Sequence, residues 1–418
     1  MRTAIVAAIA ALLVGPAAAF AKSDTDRLHY FAVNGSGVLS SAKADQPVNP
    51  ASVVKIATTL WALDELEVGH RFTTSIGYLG SWDPSSGVLV GDLVIRGGDD
   101  PDFQWENAFL VARELNRLGL RRVEGRVLVQ GRFWFGWEHG VEKRVTDPTQ
   151  LAEKMGRRLI RTLDPVRWTR SQLNTWKALC ERRGWDVKRR PQVKVTGGAH
   201  FDKPREATPL LVHHSNPLEV IMRRFNVYSN NDIVRVADGI GTLDEFEAFV
   251  AQRLGVEPGR IELETASGER RNRMTVQQMA GLLTELDIEA EEQGLEIQQV
   301  LPVLGCDPGH TRRMFPALAE PEFAGAVTCK TGTLTHTDGG VAVLAGTFTS
   351  PTNGPVVFAI AATKAGGKLD YWRMIQQRWL LDLIDESGGA VTAPCGDPLP
   401  FSDTFAEVEA VLDGEGNR

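Results

Sequence analysis

The part of the sequence that decides the class of fold is GAVTCKTGTLTHTDGGVAVLAGTFTSPTNGPVVFAIAAT, residues 325–363. It divides into three β-like runs, at 325–334, 341–349 and 356–363. The turns between the runs contain Asp338-Gly339 and Asn353-Gly354, dipeptides that favour tight hairpins. The stretch therefore predicts three consecutive antiparallel strands.

Helical patterns lie on both sides of these strands. The segment NPASVVKIATTLWALDEL (49–66) starts with Asn49, a good N-cap residue, and Pro50, which suits the first helical position. Its apolar residues recur with helical spacing, so we expect a helix from Pro50 to about Gly69, and a second amphipathic helix at 369–383. Together these elements predict an α+β fold with an antiparallel sheet and helices, interrupted by a large insert.

Composition narrows the class of protein. The 418 residues are 43% hydrophobic and 24% charged, proportions of a globular protein rather than of a disordered chain or a coiled coil. The net charge of −7 argues against a general nucleic-acid binder, which is usually basic. Four cysteines are too few for a disulfide scaffold, and their spacing does not suit a metal site.

The first residues have the features of a secretory signal peptide. Arg2 provides a positive start, residues 4–14 are apolar, and Ala19-Phe20-Ala21 fits the pattern of a cleavage site. The apolar run is too short to span a bilayer. We therefore expect residues 1–21 to be removed and the protein to be exported, to the periplasm or outside the cell depending on the host's envelope.

Export permits disulfides. The four cysteines, Cys180, Cys306, Cys329 and Cys395, can pair in three ways, and they are equally compatible with buried free thiols.

Ser52-Val53-Val54-Lys55 is the first of three short motifs with chemical potential. At a spacing of three on a helix, the Lys55 amine lies over the same face as the Ser52 hydroxyl. A serine needs a base to attack a carbonyl, and a lysine that is kept neutral by burial can serve. By itself the motif is equally typical of two solvent-facing side chains.

Ser229-Asn230-Asn231 is the second motif. A hydroxyl and a carboxamide here suit proton relay and the binding of a substrate amide, although a lone polar triplet more often marks a loop or a helix cap.

Lys330-Thr331-Gly332-Thr333 is the third motif, on the first strand of the opening stretch. Gly332 has no Cβ, so a ligand backbone can lie close to the strand, and Lys330 with the threonine hydroxyls can bind a carboxylate. Alone, the motif is better explained by an edge strand with a solvated lysine.

In this order the three motifs match penicillin-recognising serine enzymes. More specifically, the chain resembles the class C low-molecular-mass penicillin-binding proteins, the D-alanyl-D-alanine carboxypeptidase/endopeptidase family. The resemblance extends to NPASVVKIATTLWAL with FTT, to DLVIRGGDDPDF, to LPVLGCDPGHTRRM and to the long insertion between Ser52 and Ser229. One stretch departs from the family: where it usually has Asp-Gly-Ser-Gly-Leu-Ser, residues 265–270 read TASGER.

The resemblance implies a role for each motif residue. Ser52 would be the nucleophile and Lys55 its general base, while Ser229 would pass the proton to the departing D-alanine and Asn231 would contact Lys55 and the substrate amide. The terminal carboxylate would be bound by the third motif, with Lys330 supplying electrostatics, Thr331 and Thr333 supplying hydroxyls, and Gly332 allowing close approach. The backbone N–H groups of Ser52 and Thr333 would form the oxyanion hole.

The resemblance also implies the organisation and partners of the protein. A split catalytic domain, at 22–71 and 206–418, would flank an insert at 72–205. The substrates would be peptidoglycan stem peptides, with β-lactams as inhibitors and with no metal, cofactor or nucleic acid. The acidic C-terminal segment lacks a basic amphipathic tail, so we expect no stable membrane anchor, and the oligomeric state stays open.

Two alternatives remain at this stage. A serine β-lactamase shares the three motifs, and one kind uses Tyr-x-Asn as its second motif, which Tyr228-Ser229-Asn230 also spells. A non-catalytic wall-binding protein of the same fold is the other alternative, although its motif residues would not need to be intact.

Overall fold

A computed structural model of the chain describes residues 22–138 and 144–411. The predicted signal peptide at 1–21 lies outside the described residues. In chain order the helices are α1 (Lys22–Thr25), α2 (Val54–Leu66), α3 (Trp105–Arg117), α4 (Pro148–Leu163), α5 (Arg170–Arg183), α6 (Leu218–Val227), α7 (Val234–Ile240), α8 (Leu243–Arg253), α9 (Val276–Glu292), α10 (Thr311–Met314) and α11 (Leu369–Glu386).

The strands follow the same order. They are β1 (Leu28–Asn34), β2 (Gly37–Ala42), β3 (Thr73–Asp83), β4 (Val88–Gly98), β5 (Arg122–Val123), β6 (Val127–Arg132), β7 (Lys194–Val195), β8 (Ala199–Phe201), β9 (Thr208–His214), β10 (Val327–Leu334), β11 (Val341–Ser350), β12 (Gly354–Thr363) and β13 (Glu407–Ala410).

The described residues form two compact units. Unit one falls within Met1–Leu60 and Leu243–Asp397, and unit two within Trp61–Thr242 and Pro398–Arg418. The predicted catalytic domain and insert are functional domains, whereas these two units are defined by compactness alone. The domain division therefore stays a prediction.

Unit one is built on a five-stranded antiparallel sheet in the order β10-β11-β12-β1-β2. The three strands predicted from residues 325–363 are adjacent in it. Cys329 on β10 and Phe358 on β12 pack with Trp372 and Trp379 of α11 in one buried cluster. Because side chains alternate along a strand, Lys330 is directed away from this cluster. The predicted α+β class with an antiparallel sheet is confirmed.

Unit two has an eight-stranded mixed sheet. Strands β13, β9, β3 and β4 pair antiparallel, whereas β4 pairs in parallel with β5 and β6. Helices α3 and α4 bury their apolar faces in the same core as these strands. The parallel pairs were not foreseen, because a local sequence pattern does not show which strands pair, and β5, β7 and β8 are only two or three residues long.

One disulfide is formed. Cys306 and Cys395 are bonded, with a Cα–Cα distance of 5.2 Å, while Cys180 and Cys329 are buried free thiols. The structure thus combines both possibilities that the sequence left open. In the described residues, no helix combines the length and the apolar character that crossing a bilayer requires.

Candidate active site

The segment before Ser52 does not begin an α-helix where the sequence predicts one. Residues Ala51–Val53 form a 3-10 turn and α2 begins only at Val54. Ala51 has a φ of 47°, in the left-handed region, which a continuous helix does not allow. The side chain of Asn49 accepts a hydrogen bond from the Ala51 N–H at 3.0 Å. Asn49 therefore caps a bend that turns Ser52 out of the helical path.

Lys55 lies beside Ser52 as the spacing of the first motif predicts. Its amine donates a hydrogen bond to Ser52 Oγ at 2.8 Å and another to the backbone carbonyl of Ser267 at 2.6 Å. The Lys55 side chain is fully buried, so it is not the solvent-facing lysine that the motif alone allows.

The third motif lies on β10, an edge strand as the sequence suggests, but its lysine is buried rather than solvated. Lys330 is 1% exposed and donates a hydrogen bond to the carbonyl of Thr331 at 2.9 Å. A Cβ on Gly332 would lie 2.5 Å from the Pro50 carbonyl oxygen and 3.2 Å from the Ser52 nitrogen. The strand thus packs against the backbone that carries Ser52, and only glycine leaves room for it.

The two buried lysines have depressed pKa values. Burial lowers the pKa of Lys55 well below its ordinary value, and the charge of Lys330 lowers it further, while the carboxylate of Glu269 opposes the shift. Burial lowers the pKa of Lys330 to about 7, with a smaller contribution from the charge of Arg373. Buried like charges favour the neutral form of an amine, so this arrangement favours an amine that can accept the proton of the neighbouring hydroxyl.

Arg373 is a residue of the site that the motif analysis missed. Its guanidinium donates hydrogen bonds to the Gly332 carbonyl at 2.7 Å and to Thr333 Oγ1 at 2.6 Å, and further ones to the Val343 carbonyl and the Gln376 side chain. It is 3% exposed. Because Arg373 is 40 residues from Thr333 in sequence, no local pattern could have connected the two.

The loop that departs from the family pattern lies against the same turn. A Cβ on Gly268, whose φ is +83°, would lie 1.8 Å from the Ala51 carbonyl oxygen. Ser267, which accepts the Lys55 hydrogen bond, precedes it and is fully buried. The two residues that match the family, Ser267 and Gly268, therefore both contact the nucleophile segment.

A second network ties Asn49 to the loop after β10. The side-chain amide of Asn49 donates to Asp338 Oδ2 at 2.9 Å and to the Arg270 carbonyl at 2.9 Å. Asp338 in turn accepts two hydrogen bonds from Arg273, at 2.8 and 3.0 Å, and these hold the pKa of its carboxyl below the ordinary value. Three separate segments of unit one are thereby joined at the start of the Ser52 turn.

The second motif belongs to unit two. Ser229 has a φ of 49° and follows α6, and Asn231 begins a 3-10 turn. Asn230 is 4% exposed, and its side chain caps this turn by accepting a hydrogen bond from the Asp232 N–H at 2.9 Å. The structure thus brings the first and third motifs together within unit one, with Ser229 and Asn231 on a strained turn of unit two.

Comparison with known proteins gives a family and a fold. A model of the D-Ala-D-Ala carboxypeptidase 3 (S13) family matches residues 31–147 and 192–374. Among solved structures, the Bd0816 predatory endopeptidase from Bdellovibrio bacteriovorus, in complex with the immunity protein Bd3460, is 21% identical, with a TM-score of 0.74 over 91% of this chain and 99% of that one. Penicillin G-acylated Bd3459 from the same organism, also in complex with Bd3460, is 22% identical, with a TM-score of 0.72 and the same coverage. Penicillin binding protein 4 (dacB) from Haemophilus influenzae is 18% identical, with a TM-score of 0.57 over 84% of this chain and 96% of that one.

Proposed function

Because the chain belongs to the D-Ala-D-Ala carboxypeptidase 3 (S13) family of serine peptidases, we propose that it cleaves peptidoglycan stem peptides through an acyl-enzyme on Ser52. The product is either free D-alanine, released from the end of a stem peptide, or an opened cross-link. β-Lactams acylate the same serine and inhibit the enzyme.

Acylation begins with the pair Ser52 and Lys55. The Ser52 oxygen bonds to the carbonyl carbon before the terminal D-alanine, and its proton passes to the neutral amine of Lys55, 2.8 Å away. The carbonyl oxygen becomes an oxyanion, stabilised by the backbone N–H groups of Ser52 and Thr333. The C–N bond then breaks, the nitrogen takes the proton held by Lys55 through the relay described below and departs, and an ester remains on Ser52. Water later hydrolyses this ester, leaving a carboxylic acid and free Ser52.

The second motif protonates the leaving group. We assign the relay to the Ser229 hydroxyl and the substrate amide contact to Asn231. The buried Asn230, whose side-chain oxygen caps the following turn, supports this register over the alternative in which Tyr228 and Asn230 are the working pair.

The third motif binds the terminal carboxylate. Arg373 donates a hydrogen bond to Thr333 Oγ1, so the hydroxyl proton of Thr333 is directed to another acceptor. Thr331 provides a second hydroxyl, and Lys330 provides charge once a carboxylate is bound. Gly332 keeps this strand close to the Ser52 turn.

The single observation that carries the proposal is the fully buried Lys55 amine within hydrogen-bonding distance of Ser52, with a pKa well below its ordinary value. Labelling with a fluorescent penicillin tests it directly. We expect wild type and a matched exposed variant, Ser36→Ala, to be labelled covalently, and Ser52→Ala to remain unlabelled. Labelling of Ser52→Ala would remove Ser52 as the nucleophile, and unlabelled wild type would favour a non-catalytic binding protein.

Substrate preference requires a second assay. Release of D-alanine from a stem-peptide mimic is compared with hydrolysis of a cephalosporin, using the same enzyme preparation. We expect D-alanine release or cross-link cleavage together with slow β-lactam turnover. Fast cephalosporin hydrolysis without any peptide cleavage would identify a β-lactamase instead.

The site of action follows from the substrate. Peptidoglycan lies outside the cytoplasmic membrane, so we propose that the protein is exported through the segment at 1–21. N-terminal sequencing of the secreted protein should find a chain that starts near Lys22.

A further inference from the structure

The loop at 265–272 holds a carboxylate next to the buried lysine of the active site. Glu269 follows Ser267 and Gly268, which both contact the nucleophile segment, and it stands where the family pattern has an apolar residue. The Glu269 residue is only partly buried.

Hydrogen bonds connect Glu269 to Lys55 through Ser267. The Lys55 amine donates to the Ser267 carbonyl at 2.6 Å, and the Ser267 hydroxyl lies 3.3 Å from Glu269 Oε2. The backbone of Glu269 is held as well, because its carbonyl accepts from Asn272 Nδ2 at 2.8 Å and from Thr265 Oγ1 at 3.0 Å. Both ends of the residue are therefore fixed.

The loop packs directly against the turn that carries the nucleophile. Gly268 adopts a left-handed φ of +83° and lies so close to Ala51 that a Cβ would overlap its carbonyl. Since Gly268 immediately precedes Glu269, the position of the carboxylate is tied to the turn that carries Ser52. The distance between loop and turn is thus set by backbone contact rather than by flexible side chains.

The charges around Lys55 come from two elements with opposite effects. Lys330 on β10 lowers the pKa of Lys55, and Glu269 on the loop raises it. Arg373 on α11 acts on Lys330 rather than on Lys55. Glu269 is therefore the anion that favours the protonated form of Lys55, the form created when Ser52 gives up its proton.

We propose that Glu269 is a positioning residue of the acylation step, and that its carboxylate, anchored by the Ser267 hydroxyl, stabilises the cation that Lys55 becomes. This inference rests on the proposed function, in which Lys55 is the base. The carboxylate acts on the lysine as the aspartate of a Ser-His-Asp triad acts on its histidine, by stabilising the protonated base without taking the proton itself.

The test is the pH dependence of acylation by benzylpenicillin, followed by intact-protein mass spectrometry between pH 5 and pH 9. Removing the anion makes Lys55 less basic, so the neutral form survives to lower pH. In Glu269→Gln and Glu269→Leu the acid limb of the rate profile should move down by on the order of one pH unit, and the plateau rate should fall several-fold. Glu269→Asp, which keeps the charge, should return the limb towards wild type.

Two controls separate this inference from simpler explanations. Glu264→Gln removes an exposed carboxylate immediately before this loop, and it should leave the limb in place. A lower plateau with an unmoved limb in Glu269→Gln would mean that Glu269 only supports the loop, and a fully wild-type profile would overturn the inference outright. Acylation of Ser52→Ala, measured alongside, would refute the proposed function whatever Glu269 does.

Discussion

The two units bury charge in opposite ways. In unit one the arginine of the site, Arg373, bonds only neutral oxygens in its described contacts, and Lys330 depresses the pKa of Lys55. In unit two a buried arginine sits against carboxylates instead: Arg224 donates to Asp102 at 2.7 Å. A buried opposite-charge pair holds its geometry, whereas neighbouring like charges favour the loss of a proton.

This contrast separates structural from chemical use of buried charge. Removing one partner of a buried ion pair such as Arg224 and Asp102 strongly destabilises the folded protein, because the other charge stays buried without its partner. Burying a lysine beside another cation lowers the stability of the folded protein. Such a lysine is typical of a functional site that needs a neutral amine. Removing a buried charge should therefore affect mainly catalysis in unit one and mainly stability in unit two.

Lys55→Met should abolish acylation while leaving the fold intact. Loss of the base should slow penicillin acylation by about 10³-fold or more. Because the substitution also removes a buried amine, the thermal midpoint should stay the same or rise. Acylation kinetics and a melting curve on one preparation measure both, with the exposed Lys177→Met as the matched control. A rate near wild type would mean that another group is the base.

Arg224→Met should do the reverse and lower stability. It leaves the carboxylate of Asp102 buried without its cation, which costs about 3–5 kcal/mol in comparable pairs. Denaturant unfolding of Arg224→Met should show this loss, and the double variant with Asp102→Asn should recover part of it. Equal stability of the single and double variants would contradict the account of this pair.

The pH dependence of stability should also come from unit two. Burial raises the pKa of Asp100 to about 8, so its stabilising effect is fully present below the ordinary value of 3.8 and is lost as the pH rises to about 8. His213 Nδ1 lies 3.8 Å from Asp100 Oδ2, and burial lowers the pKa of His213 to about 3. The stabilising effect of His213 is therefore present above pH 6.5 and is lost as the pH falls to about 3. The two oppose each other between about pH 4 and pH 6.5.

We therefore expect the free energy of unfolding to fall mainly between pH 6.5 and pH 8, by on the order of 1.4 kcal/mol per pH unit. Asp100→Asn should remove this decline, and urea titrations at several pH values measure it. An unchanged decline in Asp100→Asn would assign the effect to other groups.

The smallest expected effect is the uptake of a proton by Lys330 when a substrate carboxylate binds. Lys330 has a pKa of about 7 and is mostly neutral at pH 8, and a bound carboxylate would raise that pKa. Calorimetry of a stem-peptide mimic with Ser52→Ala, in buffers of different ionisation enthalpy, should find about 0.5–0.9 of a proton absorbed at pH 8. The C-terminally amidated peptide is the control, and equal uptake with both peptides would argue against Lys330 as the carboxylate site.

Sequence reasoning worked where the determining contacts are local. The spacing of Ser52 and Lys55, and the alternation that separates Lys330 from Cys329, follow from the periods of a helix and a strand. The left-handed Ala51 was not foreseen, because it depends on Gly268 and Gly332, more than 200 residues away along the chain.

The same distinction explains what the motifs left out. Arg373 reaches the site from a helix that is distant in sequence. Glu269 raises the pKa of Lys55 only because the folded loop brings its carboxylate near the amine. The pairing of Cys306 with Cys395 could not be chosen from the sequence, since cysteine spacing alone does not fix a disulfide.

The role of Lys55 as the base rests on a pKa that burial and the charge of Lys330 hold well below the ordinary lysine value. NMR titration of the protein with isotope-labelled lysine side chains measures this directly, and the spectrum of Lys55→Arg identifies the resonance. We expect a midpoint well below the ordinary lysine value of 10.5, and a still lower one in Glu269→Gln. A midpoint near 10.5 in wild type would show that Lys55 is charged at neutral pH and would contradict its role as the base.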